Sequence, residues 1–445
     1  MIGGMKIFSG GLPVEKRRNL RELLPLPYAV MLCANLAFII LAFSFDDPIT
    51  IYNGFIHILT SRSVLITDYI AIGGIGAAFV NVAIAGLASL GMLISSKIKP
   101  SGAVIMALWL TAGFAFFGKN VFNMIPLTIG VWLYSKYRKE PFSNYTLASL
   151  LVATLSPVVS EISFLGIFSM PVEIFFGIII GFVVGFIFPP ISSHMVRAHS
   201  GYDLYSMGFA GGLIATIFAT TARSMGHVIV PATETSYGYN LPLSIMLYIF
   251  AAAMIIVGLT AGDEDSLGEN IKTSLKDYIK FHKHSGRLIT DFFFLYKNSI
   301  YINMGVLCAF ATTIVLLLGA QFEGIVLAAI FTIVGFGCFG KHIMNVIPIM
   351  LGASLSAFLN TPYPITDSGN IAAILFGSAL APIAGKFGWI WGIVAGFLHV
   401  GVATFVGQLN GGLNLYNNGF AAGFIAMFLI PVITVSERMR KSHEE

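Results

Sequence analysis

Long apolar runs separated by short polar stretches occupy most of the chain. The runs lie at about 25–45, 66–96, 101–117, 121–135, 145–160, 171–192, 205–222 and 240–261, and then at about 297–318, 324–339, 343–358, 370–385, 388–407 and 416–433. A helix needs about 20 apolar residues to cross the hydrocarbon core of a bilayer, whereas the strands of a membrane barrel alternate over about ten residues. The runs therefore predict an all-α polytopic membrane protein embedded in the lipid bilayer.

Two polar motifs inside this pattern occur twice. AGFAFFGKNVFNMIPLTIG (112–130) returns as VGFGCFGKHIMNVIPIMLG (334–352), and GYDLYSMGFAGG (201–212) returns as GLNLYNNGFAAG (412–423). Repetition over such lengths indicates a duplicated structural unit. We place the first transmembrane repeat at 20–235 and the second at 236–440, between short tails at 1–19 and 441–445.

The basic residues predict that the two repeats cross the membrane in opposite directions, because cytoplasmic loops collect Lys and Arg. The basic loops of the first repeat carry Lys97, Lys99, Lys136, Arg138 and Lys139. Their counterparts at 321–323 and 360–367 carry none, whereas the linker at 262–296 is basic and its counterpart at 46–64 is not, apart from Arg62. Each inverted repeat must cross the membrane an odd number of times. Five transmembrane helices plus a re-entrant hairpin satisfy this condition, and so do seven crossings. Both tails and the linker are then cytoplasmic, in the inner (plasma) membrane.

The composition agrees with a membrane protein and excludes other classes. Hydrophobic residues make up 56% of the chain and charged residues 10%, with a mean hydropathy of +0.85, which is too apolar for a soluble domain. The net charge of +4 is spread over many loops and indicates no nucleic-acid partner. HExxH, GxSxG, phosphate-loop and CxxC motifs do not occur. We therefore expect no enzyme, no cofactor and no metal site.

Each copy of the 112–130 motif predicts an apolar hairpin with an irregular tip. Inverted repeats form sites near the middle of the membrane where broken helices meet, so we expect these tips to bind a polar or anionic solute. The candidate residues are Lys119, Asn123 and Pro126, and Lys341, Asn345 and Pro348. Alternatively, the hairpins span fully and each lysine snorkels to the interface. The second arm, about 15 residues or some 23 Å, favours re-entry because the hydrocarbon core is roughly 30 Å thick.

The second repeated motif predicts a glycine-rich turn before a helix whose first amides could meet a ligand. Its candidate solute contacts are Asp203, Tyr205 and Ser206, and Asn414, Tyr416, Asn417 and Asn418. The alternative is helix capping and glycine-mediated packing. The position of Asp203 is occupied by Asn414 in the second copy, so the two copies differ by one charge. A coupling proton or sodium ion at Asp203 is therefore a further hypothesis. Glu161 and Glu173 border an external loop, where we expect solvated side chains.

The repeated motifs also carry a family resemblance. AHSGYDLYSMGFAGG (198–212), LNGGLNLYNNGFAAG (409–423) and the twice-occurring GK-(N/H)-xx-N-xIP resemble a duplicated family of prokaryotic multi-pass membrane proteins known only as a domain of unknown function. This resemblance covers nearly the whole chain and implies no activity. A weaker one, in Asn418-Gly419 and Ile125-Pro126-Leu127-Thr128, is to urea transporters, which have inverted halves of five helices and usually assemble as trimers. In this chain the Ile-Pro motif precedes the Asn-Gly motif within each half, which is the reverse of the order in urea transporters, and a lysine stands beside the Ile-Pro motif. The likeness therefore concerns architecture more than a urea substrate.

Together these patterns predict a homo-oligomeric (dimeric or trimeric) transporter or channel for a small polar solute, with its site between the two hairpins and the two turns. A passive pore for urea or ammonia is the first alternative. An intramembrane enzyme or scaffold without transport activity is the second.

Overall fold

The computed structural model describes residues 24–262, 264, 266–287, 290–359 and 362–444, with side chains up to residue 439. The predicted N-terminal tail, 1–19, lies outside the described residues. Within them the regular structure is helical, with two isolated backbone bridges and no strand. The protein is therefore an all-α polytopic membrane protein, as the apolar runs predict.

The helices of the first repeat alternate long membrane spans with short segments. They are α1 (Leu26–Phe45), α2 (Pro48–Leu59), α3 (Tyr69–Gly73), α4 (Ile75–Ser95), α5 (Gly102–Phe114), α6 (Val121–Arg138), α7 (Thr146–Leu151), α8 (Ser156–Ser163), α9 (Met170–Ala198) and α10 (Ser206–Ser224). A 3-10 turn at Phe142–Tyr145 precedes α7 and another at Val152–Leu155 joins α7 to α8, so that Phe142–Ser163 forms one broken span.

The second repeat has the same order. Its helices are α11 (Asn240–Thr260), α12 (Leu267–Phe281), α13 (Phe292–Tyr296), α14 (Ile300–Leu317), α15 (Gly324–Phe336), α16 (Ile343–Leu359), α17 (Ser368–Phe376), α18 (Ala381–Phe387), α19 (Trp389–Asn410) and α20 (Asn417–Glu444). The predicted tail at 441–445 continues α20 up to Glu444, because the helix does not end where the apolar run ends.

Nine helical segments in the described part of the chain are long and apolar enough to cross a membrane. Five of them belong to the second repeat, and four to the first. The fifth counterpart in the first repeat is α10, which aligns with α20 through the repeated GYDLYSMGFAGG motif. Each repeat therefore contributes five long helical segments and one helical hairpin.

The first hairpin (α5 and α6) and the second hairpin (α15 and α16) each have a short first arm and a longer second arm. The first arms have 13 residues each, about 20 Å of helix, and the second arms have 18 and 17, about 27 and 26 Å. The second arms are longer than the predicted 15 residues, because α6 continues into polar residues up to Arg138 and α16 continues to Leu359. All four arms remain shorter than the roughly 30 Å hydrocarbon core.

The two first arms pack against each other in opposite directions. Gly113, near the end of α5, lies 3.0 Å from Ala328, near the start of α15, measured from an added Cβ to the Ala328 Cα. The equivalent residues, Gly335 and Met106, make the matching contact, with an added Cβ 3.0 Å from the carbonyl oxygen of Met106. Two antiparallel, equivalent arms imply a pseudo-two-fold axis perpendicular to them. Such an axis lies in the membrane plane when the arms follow the membrane normal, as in inverted repeats.

Glycines allow the second arms to pack closely against the long spans that follow. A Cβ added at Gly185 in α9 would lie 2.1 Å from the carbonyl oxygen of Leu127 in α6. In the second repeat, a Cβ added at Gly352 in α16 would lie 1.9 Å from the carbonyl oxygen of Ile393 in α19. Backbone approach of this kind is how helices associate inside a bilayer, where lipid and side chains are equally apolar.

The substitution Gly352→Ala is expected to destabilise the protein by about 1–3 kcal/mol, because α16 and α19 must separate to admit the methyl group. Gly91→Ala in α4 is the matched control, since an added Cβ there meets nothing within 4 Å and the change removes a glycine from a helix. The measurement is the midpoint temperature of unfolding in detergent. Equal midpoints for the two variants would contradict the close helix contact.

Candidate functional site

Lys341, at the tip of the second hairpin, is buried against the first repeat. The backbone turns at Gly340 (φ +100°), and the lysine side chain is 0% exposed. Its Nζ donates hydrogen bonds to the Oη of Tyr205 and, at 2.7 Å, to the Oγ of Ser378. The ammonium also lies 4.4 Å from the centre of the Tyr205 ring, which is a cation–π distance.

Lys119, at the tip of the first hairpin, is equally buried but bonded differently. It is 2% exposed, and its Nζ donates to the Oγ1 of Thr111 on its own hairpin, at 3.0 Å. In the described part of the chain, no carboxylate lies within 4.0 Å of either lysine Nζ. Both lysine Nζ atoms are therefore inside the protein rather than extended to its surface, and the two tips are not equivalent.

Two buried asparagines hold the tips, and the sequence interpretation missed both. Asn303 Nδ2 donates to the carbonyl oxygens of Gly337 and Lys341, each at 2.7 Å. Asn81 Nδ2 donates to those of Ala115 and Lys119, at 2.7 and 2.9 Å. The available signal was a polar residue at the same place in the apolar run of both repeats, in Phe79-Val80-Asn81 and Tyr301-Ile302-Asn303.

The other hairpin candidates stabilise the tips and the arms. Asn123 Nδ2 donates to the carbonyl of Gly118 at 3.0 Å, and Asn345 Nδ2 donates to that of Gly340 at 3.0 Å. Pro126 and Pro348 are buried inside α6 and α16, where they face Gly181 and Gly392 of the following spans. These contacts are structural, and contact of the four residues with a solute stays a prediction.

The two glycine-rich turns meet at the pseudo-two-fold axis. The rings of Tyr205 and Tyr416 lie 4.5 Å apart, and each residue is 1% exposed. Phe336 packs on Tyr205 at 4.9 Å, and its counterpart Phe114 packs on Tyr416 at 5.1 Å. Phe376 contacts both tyrosine rings. We refer to these five side chains as the aromatic barrier.

Asp203 and Asn414 form the same turn in the two repeats. Asp203 Oδ1 accepts the N–H of Tyr205 at 2.8 Å, and Asn414 Oδ1 accepts that of Tyr416 at 3.2 Å, which is an Asx turn in each repeat. Asp203 does not cap α10, because the N-cap residue of that helix is Tyr205, which makes no side-chain cap hydrogen bond. Asn414 Nδ2 also donates to the carbonyl of Gly208 at 3.0 Å. Asp203 Oδ2 is buried and has no hydrogen-bond partner in the described structure.

The remaining turn candidates bond to neighbouring protein groups. Ser206 Oγ donates to the carbonyl of Asp203 at 3.2 Å. Asn417 Oδ1 accepts from Asn410 at 2.7 Å, and Asn418 Oδ1 lies 3.1 Å from Nε2 of His399. The structure thus brings Tyr205 and Lys341 together directly, and places these three residues on the flanks of the same turns.

Two cavities border the twin turns. One, of about 140 Å³, includes Met106, Leu204, Tyr205 and Tyr416 in its lining and is otherwise mostly apolar. The other, of about 270 Å³, is more polar; Thr233, Asp367, Gln408, Gly412 and Asn417 are among its lining residues. Tyr416 lines the first cavity and its neighbour Asn417 lines the second, so both cavities border the same turn.

The prediction that Glu161 and Glu173 are solvated is wrong. Glu161 is 1% exposed and accepts a two-pronged hydrogen bond from Arg62, with Nε to Oε2 at 2.8 Å. Glu173 is 4% exposed and accepts the backbone N–H groups of residues 166–168. Both carboxylates fasten loops to helices, which the polarity of the flanking sequence did not reveal.

These features define a polytopic helical membrane protein made of two copies of one unit, whose first hairpin arms run antiparallel, with a buried lysine side chain where the copies meet. A family model described as "Protein of unknown function (DUF1576)" matches residues 47–224 and 270–435. The chain belongs to this family. One match falls in each repeat, which confirms the resemblance to a duplicated family of unknown function. No curated protein matches the chain, and no solved structure matches it.

Proposed function

We propose that the protein transports a small polar or anionic solute across the inner membrane, through a site between the second hairpin tip and the first glycine-rich turn. The observation that carries this proposal is the environment of Lys341. Its ammonium is fully buried where the repeats meet, and it is bonded to two hydroxyl groups and covered by an aromatic ring. A buried charge without an opposite charge is unfavourable. A bound anion would neutralise it.

The surrounding architecture supports transport rather than a static anion site. Two cavities border the same turns, one lined by Tyr416 and the other by Asn417, and in a closed transporter the aromatic barrier would lie between them. In inverted-repeat transporters, one repeat rocks against the other around a central site. The contacts of Lys341 join the second hairpin to the first repeat, so relative motion of the repeats would change them directly.

The short arms support hairpins that enter and leave the membrane on the same side. First arms of about 20 Å cannot cross a core of roughly 30 Å. With the basic loops in the cytoplasm, the first hairpin enters from the inside and the second from the outside, and both termini are cytoplasmic. Tips that stop inside the membrane require protein contacts for their free backbone groups, and Asn81 and Asn303 supply them.

Flux into proteoliposomes tests the proposal. The probes are labelled nitrate, sulfate and phosphate, with urea and ammonia as neutral probes for the alternative of a passive pore. Saturable uptake of an anion, absent from protein-free vesicles, would support the proposed transporter. Non-saturable flux of urea or ammonia without anion uptake would favour the pore. No flux of any probe would overturn the proposal in favour of an enzyme or scaffold.

A further inference from the structure

The two glycine-rich turns differ at one chemical group, and the difference lies at the centre of the molecule. Asn414 uses both ends of its amide, because Oδ1 accepts the N–H of Tyr416 and Nδ2 donates to the carbonyl of Gly208. Asp203 repeats the first bond through Oδ1. Its second oxygen, Oδ2, has no partner among the described residues, although the side chain is 0% exposed.

The pseudo-two-fold axis identifies the group that corresponds to the Gly208 carbonyl. Gly208 packs on the backbone of Tyr416 and Gly419 packs on that of Tyr205, with an added Cβ 2.7 and 2.8 Å from the two carbonyl oxygens. Gly208 and Gly419 are therefore equivalent, and the carbonyl of Gly419 is the counterpart for Asp203. An ionised carboxylate can only accept hydrogen bonds, whereas a protonated one can donate to a carbonyl as the amide of Asn414 does.

We propose that Asp203 is protonated in this state, and that its proton is bound and released together with the anion held by Lys341. The anion in this proposal rests on the proposed function, whereas the protonation of Asp203 rests on the geometry of the two turns. In each cycle one proton binds Oδ2 from one side of the membrane and leaves to the other side. With a monovalent anion, the pair carries no net charge.

The groups around Asp203 explain why the proton and the anion would bind together. His199 Nδ1 accepts the backbone N–H of Asp203 at 3.2 Å, and Arg287 donates to the carbonyl of Ser200. Tyr205 and Tyr416 face the turn from the aromatic barrier, and Lys341 reaches it from the second hairpin. An ionised Asp203 and a solute anion would compete for the Lys341 ammonium. Protonation of Asp203 therefore favours anion binding, and by linkage the anion favours protonation.

Infrared spectroscopy of the reconstituted full-length protein tests the protonation without any solute. At neutral pH, the wild type is expected to show the carbonyl stretch of a protonated carboxylic acid, and Asp203→Asn is expected to lose the part of this band that comes from Asp203. Asp203→Asn copies the residue that the other repeat already uses at position 414, so it is expected to fold. Asn414→Asp, the mirror variant, is expected to add a second such band.

Asp47→Asn is the matched control for the spectrum. Asp47 is exposed, and hydrogen bonds from Thr50 hold its pKa below the usual range, so its carboxyl is ionised at neutral pH and its replacement leaves the band unchanged. A band of equal size in wild type and Asp203→Asn would overturn the proposed proton site.

Uptake under a pH gradient tests the coupling, with whichever of nitrate or phosphate enters the vesicles in the flux assay. The wild type is expected to accumulate the anion by about tenfold for each pH unit that the outside is more acidic, if one proton accompanies one negative charge. In Asp203→Asn, accumulation and its dependence on the gradient are expected to disappear. Accumulation by the variant equal to wild type would overturn the coupling. Absence of anion flux in the wild type would overturn the proposed function, while the infrared band would still decide the protonation.

Discussion

Lys341→Met is expected to abolish anion flux while leaving the protein at least as stable as the wild type. Methionine fills most of the space of the lysine side chain but removes the ammonium that bonds Tyr205 and Ser378. Loss of a buried charge contact to a ligand costs about 2–4 kcal/mol, which is roughly 30- to 1,000-fold in affinity. Replacing a buried, uncompensated charge by an apolar group is neutral or stabilising for the fold. The measurements are initial uptake rates in proteoliposomes and the unfolding midpoint in detergent.

Two lysine variants make this result interpretable. Lys386→Met removes a lysine that is exposed at the end of α18, so both measurements should match the wild type. Lys119→Met removes the other buried ammonium, whose bond is to Thr111 of its own hairpin, and a smaller loss of flux is expected because that contact does not join the repeats. Normal transport by Lys341→Met would show that the lysine is not part of the transport site. A variant that fails to fold would show that the ammonium stabilises the structure instead.

The architecture could be predicted from sequence because each step relied on a strong, local signal. Apolar runs of the right length predicted the spans, and repeated motifs such as 112–130 and 334–352 predicted the duplication. The distribution of Lys and Arg predicted inversion, and the antiparallel contact of Gly113 with Ala328 agrees with it. Helix ends were predicted less well, since α6 and α20 continue beyond their apolar runs. Helix hydrogen bonding tolerates polar residues that a hydropathy pattern excludes.

The inequality of the two tips could not be predicted. The repeated hairpin motif suggested equivalent lysines, but Lys341 bonds across the repeats and Lys119 bonds within its own hairpin. The difference depends on Ser378, which lies in a part of the repeat without a conspicuous motif and aligns with Ala153, and on Thr111, which aligns with Ile333. Pairings between distant segments follow from tertiary packing. A single sequence contains no direct record of them.

Within the aromatic barrier, Tyr416 is the residue that borders both cavities most closely along the chain, since it lines the first and its neighbour Asn417 lines the second. Its ring contacts Tyr205 at 4.5 Å, Phe114 at 5.1 Å and Phe376 at 6.0 Å. Its hydroxyl has no hydrogen-bond partner in the described structure. Its ring rather than its hydroxyl therefore fills this position, and removing the ring should connect the cavities of about 140 and 270 Å³.

Tyr416→Ala is accordingly expected to convert the closed protein into a leak, with passive urea flux at least about tenfold above wild type, non-saturable and independent of any gradient. Truncating a buried aromatic side chain costs about 3–5 kcal/mol, so Tyr416→Leu, which retains more of the volume, serves as a second variant with the same expected direction. Tyr416→Phe is the matched control, since it keeps the ring and removes the unpaired hydroxyl; it should remain closed. The measurement is stopped-flow light scattering of proteoliposomes after a urea jump. If folded Tyr416→Ala and Tyr416→Leu proteins both had the urea permeability of the wild type, the space left by the ring would not connect the two cavities. The aromatic barrier would then not be what closes the pathway.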